Sequence, residues 1–194
     1  MSIVAPIAAA LATAAIASVV AAPGARAATD CRTVGRTVVA DSRARVYAYR
    51  HIVLNACVYG QRNNLGFFGE LNTRIGVSGI QLAGTRLGYV ARGPDVHGGD
   101  QPDVVRVVDL RRPSATPAQA IATSFVLASD GAFAALTQPD VNGAIRVLTV
   151  AAGHRTTVIA SGAVVPGSLA LTGRTFYWTQ DGAPRSAVLP PTGG

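Results

Sequence analysis

The chain has no lysine: all 17 of its basic residues are arginine, set against 10 acidic residues. With its heavy use of alanine, glycine and valine, this fits the coding bias of a GC-rich genome better than selection for a partner. Cysteine is nearly absent. Cys31 and Cys57 are the only two, and no C-x-x-C spacing suggests dithiol redox chemistry. The three histidines, His51, His97 and His154, are far apart and outside any H-E-x-x-H or other paired spacing. No G-x-S-x-G nucleophile elbow and no P-loop occurs, and "GYVARG" (88–93) lacks the spacing of a dinucleotide fingerprint. Past the N-terminal segment almost nothing reads as an amphipathic helix, and no stretch is long and apolar enough to cross a membrane. These absences remove the common hydrolase, NTPase and zinc-protease signatures.

What is present begins with a processing signal. Residues 3–22 carry no charge and are mostly alanine, valine and isoleucine. "ARA" at 25–27 then supplies a small-x-small site, so cleavage is predicted after Ala27, with residues 28–194 as a single domain. An uncleaved anchor is the alternative; alanine inserts weakly, and the A-x-A site favours removal. No Lys or Arg precedes residue 26, so a basic n-region is missing. The expected location is secreted or extracytoplasmic, with no transmembrane segment after signal removal. In that compartment Cys31 and Cys57 are expected to form one structural disulfide, worth roughly 3 kcal/mol in the chain-entropy picture.

Loss of Arg26 leaves 16 arginines against 10 acids on residues 28–194. Their scatter along the chain reads first as a device for solubility. The densest run passes through Arg32, Arg36, Arg43, Arg45, Arg50 and Arg62, with only Asp41 among them. That run admits anionic envelope polymers as partners, and a protein partner stays open. Nucleic acid is not expected, because the compartment is wrong and no aromatic platforms interleave with the charges.

A repeat organises the rest. An apolar residue closing a φ-x-φ pattern, a small or polar turn and a period-two apolar run recur from Val39, Leu82, Leu127 and Leu171. The intervals are 43, 45 and 44 residues, near-equal in a chain with no low-complexity tract. "GTR", "SDG" and "TGR" supply the tight turns. Further β-rich runs follow, such as "DVVRVVDL" (103–110), "AIRVLTVAAG" (144–153) and "TTVIAS" (156–161). Four strands per unit at a period near 44 predict an all-β, β-propeller-like array of about four blades. The last unit has room for only one more strand after "TFYWTQDG", "RSAVL" at 185–189. "CRTVGRT" (31–37) is therefore expected to supply its missing fourth strand, with the disulfide stapling that strand to the first blade.

"LTGRTFYWTQDG" (171–182) resembles the first hairpin of bacterial secreted β-propellers, TolB-like and WD40-like in the broad sense. The resemblance spans roughly residues 37–189 and is strongest in the first hairpins. It extends to exported bacterial proteins of no assigned activity. The WD dipeptide, the Gly-His signature and the sialidase-type Ser-x-Asp-x-Gly-x-Thr-Trp box are absent, although "ASDGAF" (128–133) brushes against the last. The resemblance implies a propeller fold and carries no catalytic residues.

Two groups of residues are candidates for chemistry. "PDVHGGDQPD" (94–103) places Asp95, His97, Asp100 and Asp103 in one loop, as oxygen and imidazole donors that suit a divalent cation. A solvated inter-strand loop accounts for the same residues. Tyr89, Tyr177 and Trp178 lie in second strands, where they either fill the wedge between blades or line a ligand site at a channel mouth. The resulting expectation is an exported, non-catalytic binding or scaffold module with no cofactor. The alternatives are a hydrolase or lyase that uses the 94–103 loop, and a self-associating envelope protein.

Overall fold

A computed structural model describes residues 31–50, 52–61, 65–70, 76–92, 102–151 and 155–191. Among these residues there is no helix. Fifteen strands form four separate antiparallel sheets, each a meander of consecutive strands. The first sheet is β1 (Arg36–Ala40), β2 (Ala44–Tyr49), β3 (Val53–Val58) and β4 (Leu65–Glu70). The second is β5 (Val77–Ala83), β6 (Arg86–Ala91), β7 (Val104–Asp109) and β8 (Ala118–Ile121). The third is β9 (Ser124–Leu127), β10 (Phe133–Leu136), β11 (Ile145–Val150) and β12 (Thr156–Gly162). The fourth has three strands, β13 (Ala170–Thr172), β14 (Thr175–Gln180) and β15 (Ala183–Val188).

Strand periodicity decides how the sheets stack. Alternate side chains leave opposite faces, so a strand in a middle sheet must be apolar on both. β10, "FAAL", is buried at every position. Its Phe133 and Ala135 meet Val90, Val105 and Val107 of the second sheet, while Ala134 and Leu136 meet Phe176 and Trp178 of the fourth. In β6, Leu87 and Tyr89 pack on Val46, Leu54 and Ala56 of the first sheet, and Val90 faces the third. Three apolar layers thus lie between four sheets in chain order. First strands of successive sheets also touch: β1 on β5, β5 on β9, and β9 on β13.

The 44-residue period reappears as contacts between neighbouring sheets. Gln81 donates its side-chain N–H to the carbonyl of Phe125, 44 residues on, at 2.7 Å. A Cβ at Gly88 would lie 2.4 Å from the Phe125 ring, so only glycine lets that ring seat against β6. At the other end of the chain, Asp181 and Gly182 both have positive φ. This is the two-residue turn whose twist matches a hairpin, and it joins β14 to β15.

Cys31 and Cys57 are disulfide-bonded, as expected from their number and context. The expectation for residues 31–37 is corrected. Arg36 and Thr37 belong to β1 and pair with Ala48 and Tyr47 of β2, so they add no strand to the fourth sheet. The disulfide instead fastens residues before β1 to β3 of their own sheet. The cause is local: the Arg45 guanidinium donates to the carbonyls of Cys31, Arg32 and Gly35 and holds this segment on the first sheet.

Candidate ligand-binding end

In a meander, the turns after the first and third strands share one end, and the turn after the second strand lies at the other. The first-hairpin turns of neighbouring sheets are in contact. Arg174 pairs with Asp130 across the third and fourth sheets, and Arg86 packs on Gly131 across the second and third. Arg43 approaches Gly84 across the first and second. One end of the stack is therefore a continuous surface of turns.

That surface is basic. The first sheet brings Arg43 and Arg32, whose guanidinium lies 4.4 Å from the centre of the Tyr59 ring. The second brings Arg86, Arg111 and Arg112, the third Arg155 and the fourth Arg174. The acids there are Asp41, Asp109 and Asp130, and each is engaged by its own turn. Asp41 accepts the backbone N–H groups of Arg43 and Ala44 at 2.7 and 2.8 Å. Asp109 accepts from the Arg111 N–H at 3.0 Å and pairs with Arg86 at 3.0 Å. Asp130 accepts from the Ala132 N–H at 3.0 Å and pairs with Arg174. At the opposite end, among the described side chains, Arg36, Arg50, Arg92 and Arg146 are nearly balanced by Asp103, Asp140 and Asp181.

A cavity of about 250 Å³ opens in the basic end, between the second and third sheets. Arg86, Asp109, Arg112, Thr116 and Asp130 supply its polar wall, over a floor of Val107 and Ala118. Gly131, whose φ of 95° favours glycine, packs on the Arg86 stem: a Cβ there would lie in contact with its Cδ and Nε at 3.4 Å. Arg112 is placed by two backbone bonds: its N–H donates to the Asp109 carbonyl at 2.8 Å, and its carbonyl accepts from Ala115 at 2.9 Å. Among the described residues the Arg112 guanidinium has no ion-pair partner. A second, more apolar groove of about 390 Å³ lies at the other end, around Ile121, Ala144 and Leu148.

The residues singled out from sequence lie elsewhere. Asp95, His97 and Asp100 fall outside the described residues, as do all three histidines. Asp103 precedes β7, and its backbone carbonyl accepts from Ala122 at 3.0 Å. Among the described residues no three His, Cys, Asp or Glu cluster as for a metal. Tyr89 is buried between the first two sheets, its ring centre 5.1 Å from that of Phe68. Burial raises its pKa above the ordinary tyrosine value, against an opposing pull from Arg106. Trp178 is buried between the last two sheets, stacked on Phe176, with its indole N–H donating to Gln180 at 3.1 Å. Tyr177 is exposed on the outer face of the fourth sheet. The three aromatics do not converge on one site.

Sequence reasoning passed over the basic end because it treated "GTR" and "TGR" only as turns. The signal was available: placed on a meander of period near 44, Arg86 and Arg174 fall in equivalent turns. No protein-family model matches the chain, and no curated protein or solved structure shows significant similarity to it.

Proposed function

We propose that the protein is an exported, non-catalytic binding module of β-propeller-like architecture, with its sheets as blades and its basic turn end as the ligand face. The observation that carries this reading is the stacking of consecutive meanders face to face with their first strands adjacent. That is how propeller blades surround an axis. Propellers present ligand surfaces on the loops at one end, held by a rigid scaffold. The Cys31–Cys57 bond fits an oxidising compartment. Ring closure would bring the outer faces of the first and fourth sheets together, and small-angle scattering would distinguish a closed ring from an open stack.

The functional test is a thermal-shift screen of the oxidised protein against polyanions, neutral glycans, peptides and divalent cations. A ligand selective for the folded state adds about 2.7 kcal/mol at a hundredfold excess over its Kd. A reproducible rise in Tm with one class supports a binding module. A flat response to every class rejects it in favour of a structural role. Export is tested separately, by the mass of the secreted chain, which should begin at Ala28 and carry no free thiol.

A further inference from the structure

We infer that the cavity between the second and third sheets is an oxyanion site, built to receive one phosphate or carboxylate group presented by a larger extracytoplasmic molecule. This rests on the turn end being the ligand face, and it adds the ligand's chemical class.

Three observations converge on it. The first is the local charge account around the cavity. Asp109 and Asp130 each have one oxygen on an arginine and the other on a backbone N–H. Neither carboxylate needs a further cation, so neither draws Arg112 out of the cavity. Arg112 remains as a charge in excess, an exposed residue held at its backbone that lines the same cavity as Arg86. The second is geometric. A guanidinium offers a planar fork of N–H donors that matches the two oxygens of a carboxylate or phosphate. Thr116 lines the same cavity, and its hydroxyl is a further donor of the kind a third oxygen needs. At about 250 Å³ the cavity suits one anionic group rather than a length of polymer.

The third is the field around it. Arginines from all four sheets gather at this end, with the acids outnumbered. Such a surface raises the local concentration of anions and speeds their encounter with the cavity. A flexible polyanion could engage the cavity with one group while its neighbours meet Arg43, Arg111 and Arg155.

The test is calorimetric titration of the oxidised full chain, at low ionic strength, with glycerol phosphate, glucuronate and glucose. At least one of the two anions should bind saturably, and glucose should not. If only glycerol phosphate binds, the group is a phosphate; if only glucuronate binds, it is a carboxylate; binding of both leaves the class as an oxyanion. Arg112→Ala should weaken the anion about tenfold, the loss expected for one charge-assisted contact. Thr116→Val should weaken it by a smaller factor. Arg155→Ala, at the same end but outside the cavity, should change it less than about twofold. Equal losses in the Arg112 and Arg155 variants would mean diffuse charge attraction and overturn the site. So would glucose binding as well as the anions, or no saturable binding of either anion. No saturable binding of either anion, together with a neutral glycan or peptide that raises Tm equally in wild type and Arg112→Ala, would sink this inference and leave the binding-module reading standing.

Discussion

The first and fourth sheets each turn one face away from the stack, and the two faces are finished in opposite ways. On the first sheet, Arg45 and Cys57 sit opposite each other in register and share the outer face. Residues 31–35 lie over that face, held by the disulfide and by Arg45, which is only 3% exposed and lies over the Tyr47 ring. On the fourth sheet the outer face is bare. Thr175, Tyr177 and Thr179 of β14 lie beside Val188, Ser186 and Pro184 of β15, with no charged residue among them. Tyr177 is 43% exposed there, while its neighbour Trp178, on the inner face, is 6% exposed. A terminal sheet is thus completed either by folding chain across it or by leaving it polar and uncharged. Pro184 on the last strand also withholds a backbone donor, which discourages edge-to-edge pairing.

This comparison sets the size of each expected effect. The largest falls on the inner face of the bare sheet: Trp178→Ala should cost about 4 kcal/mol, because it empties a packed layer between the third and fourth sheets. Chemical denaturation checks this, and a loss near zero would mean that the fourth sheet is not packed on the third. Replacing both cysteines with serine should cost about 3 kcal/mol, and reduction should match it. Hydrogen exchange should place that loss in the first sheet and leave the fourth unchanged. Arg45→Met should cost roughly 2 kcal/mol, since three carbonyls lose a charged donor. Ser186→Ala on the bare face of β15 should stay within about 0.5 kcal/mol, as should Tyr177→Ser on β14 beside it. Equal costs for Arg45→Met and Tyr177→Ser would erase the contrast between the two outer faces.

The smallest effect appears only at high pH. The Tyr89 pKa is raised in the folded state, chiefly by burial. Its contribution is therefore whole below the unfolded value of about 10 and fades as pH rises through the folded value, where the unfolded chain holds fewer protons. Alkaline melting of Tyr89→Phe should fall less steeply with pH than that of wild type.

Much of the fold was legible as repetition. Val39, Leu82, Leu127 and Leu171 each fall in the first strand of a sheet, and "TTVIAS" matches the start of β12. The last unit has the three strands of its own that its length allowed, without the fourth expected from residues 31–37. Residues 31–37 misled because an extended, alternating segment fits any open edge equally well. What holds it to the first sheet is a buried guanidinium reaching three backbone carbonyls, an interaction with no sequence period. The basic end was hidden for a related reason. Arginines spread along the chain look like a solubilising coat until the meander folds their positions onto two ends.

By itself, then, the sequence determined the β-architecture, the 44-residue unit and the pairing of its two cysteines. Hydrophobic alternation and turn residues act over a few positions, and two thiols have a single way to pair. Only the tertiary structure decided which sheet covers its own face, which aromatics are buried, and that arginines from four sheets share one end with a cavity. Those outcomes depend on contacts between residues about one repeat apart, where packing geometry rather than local pattern sets the free energy.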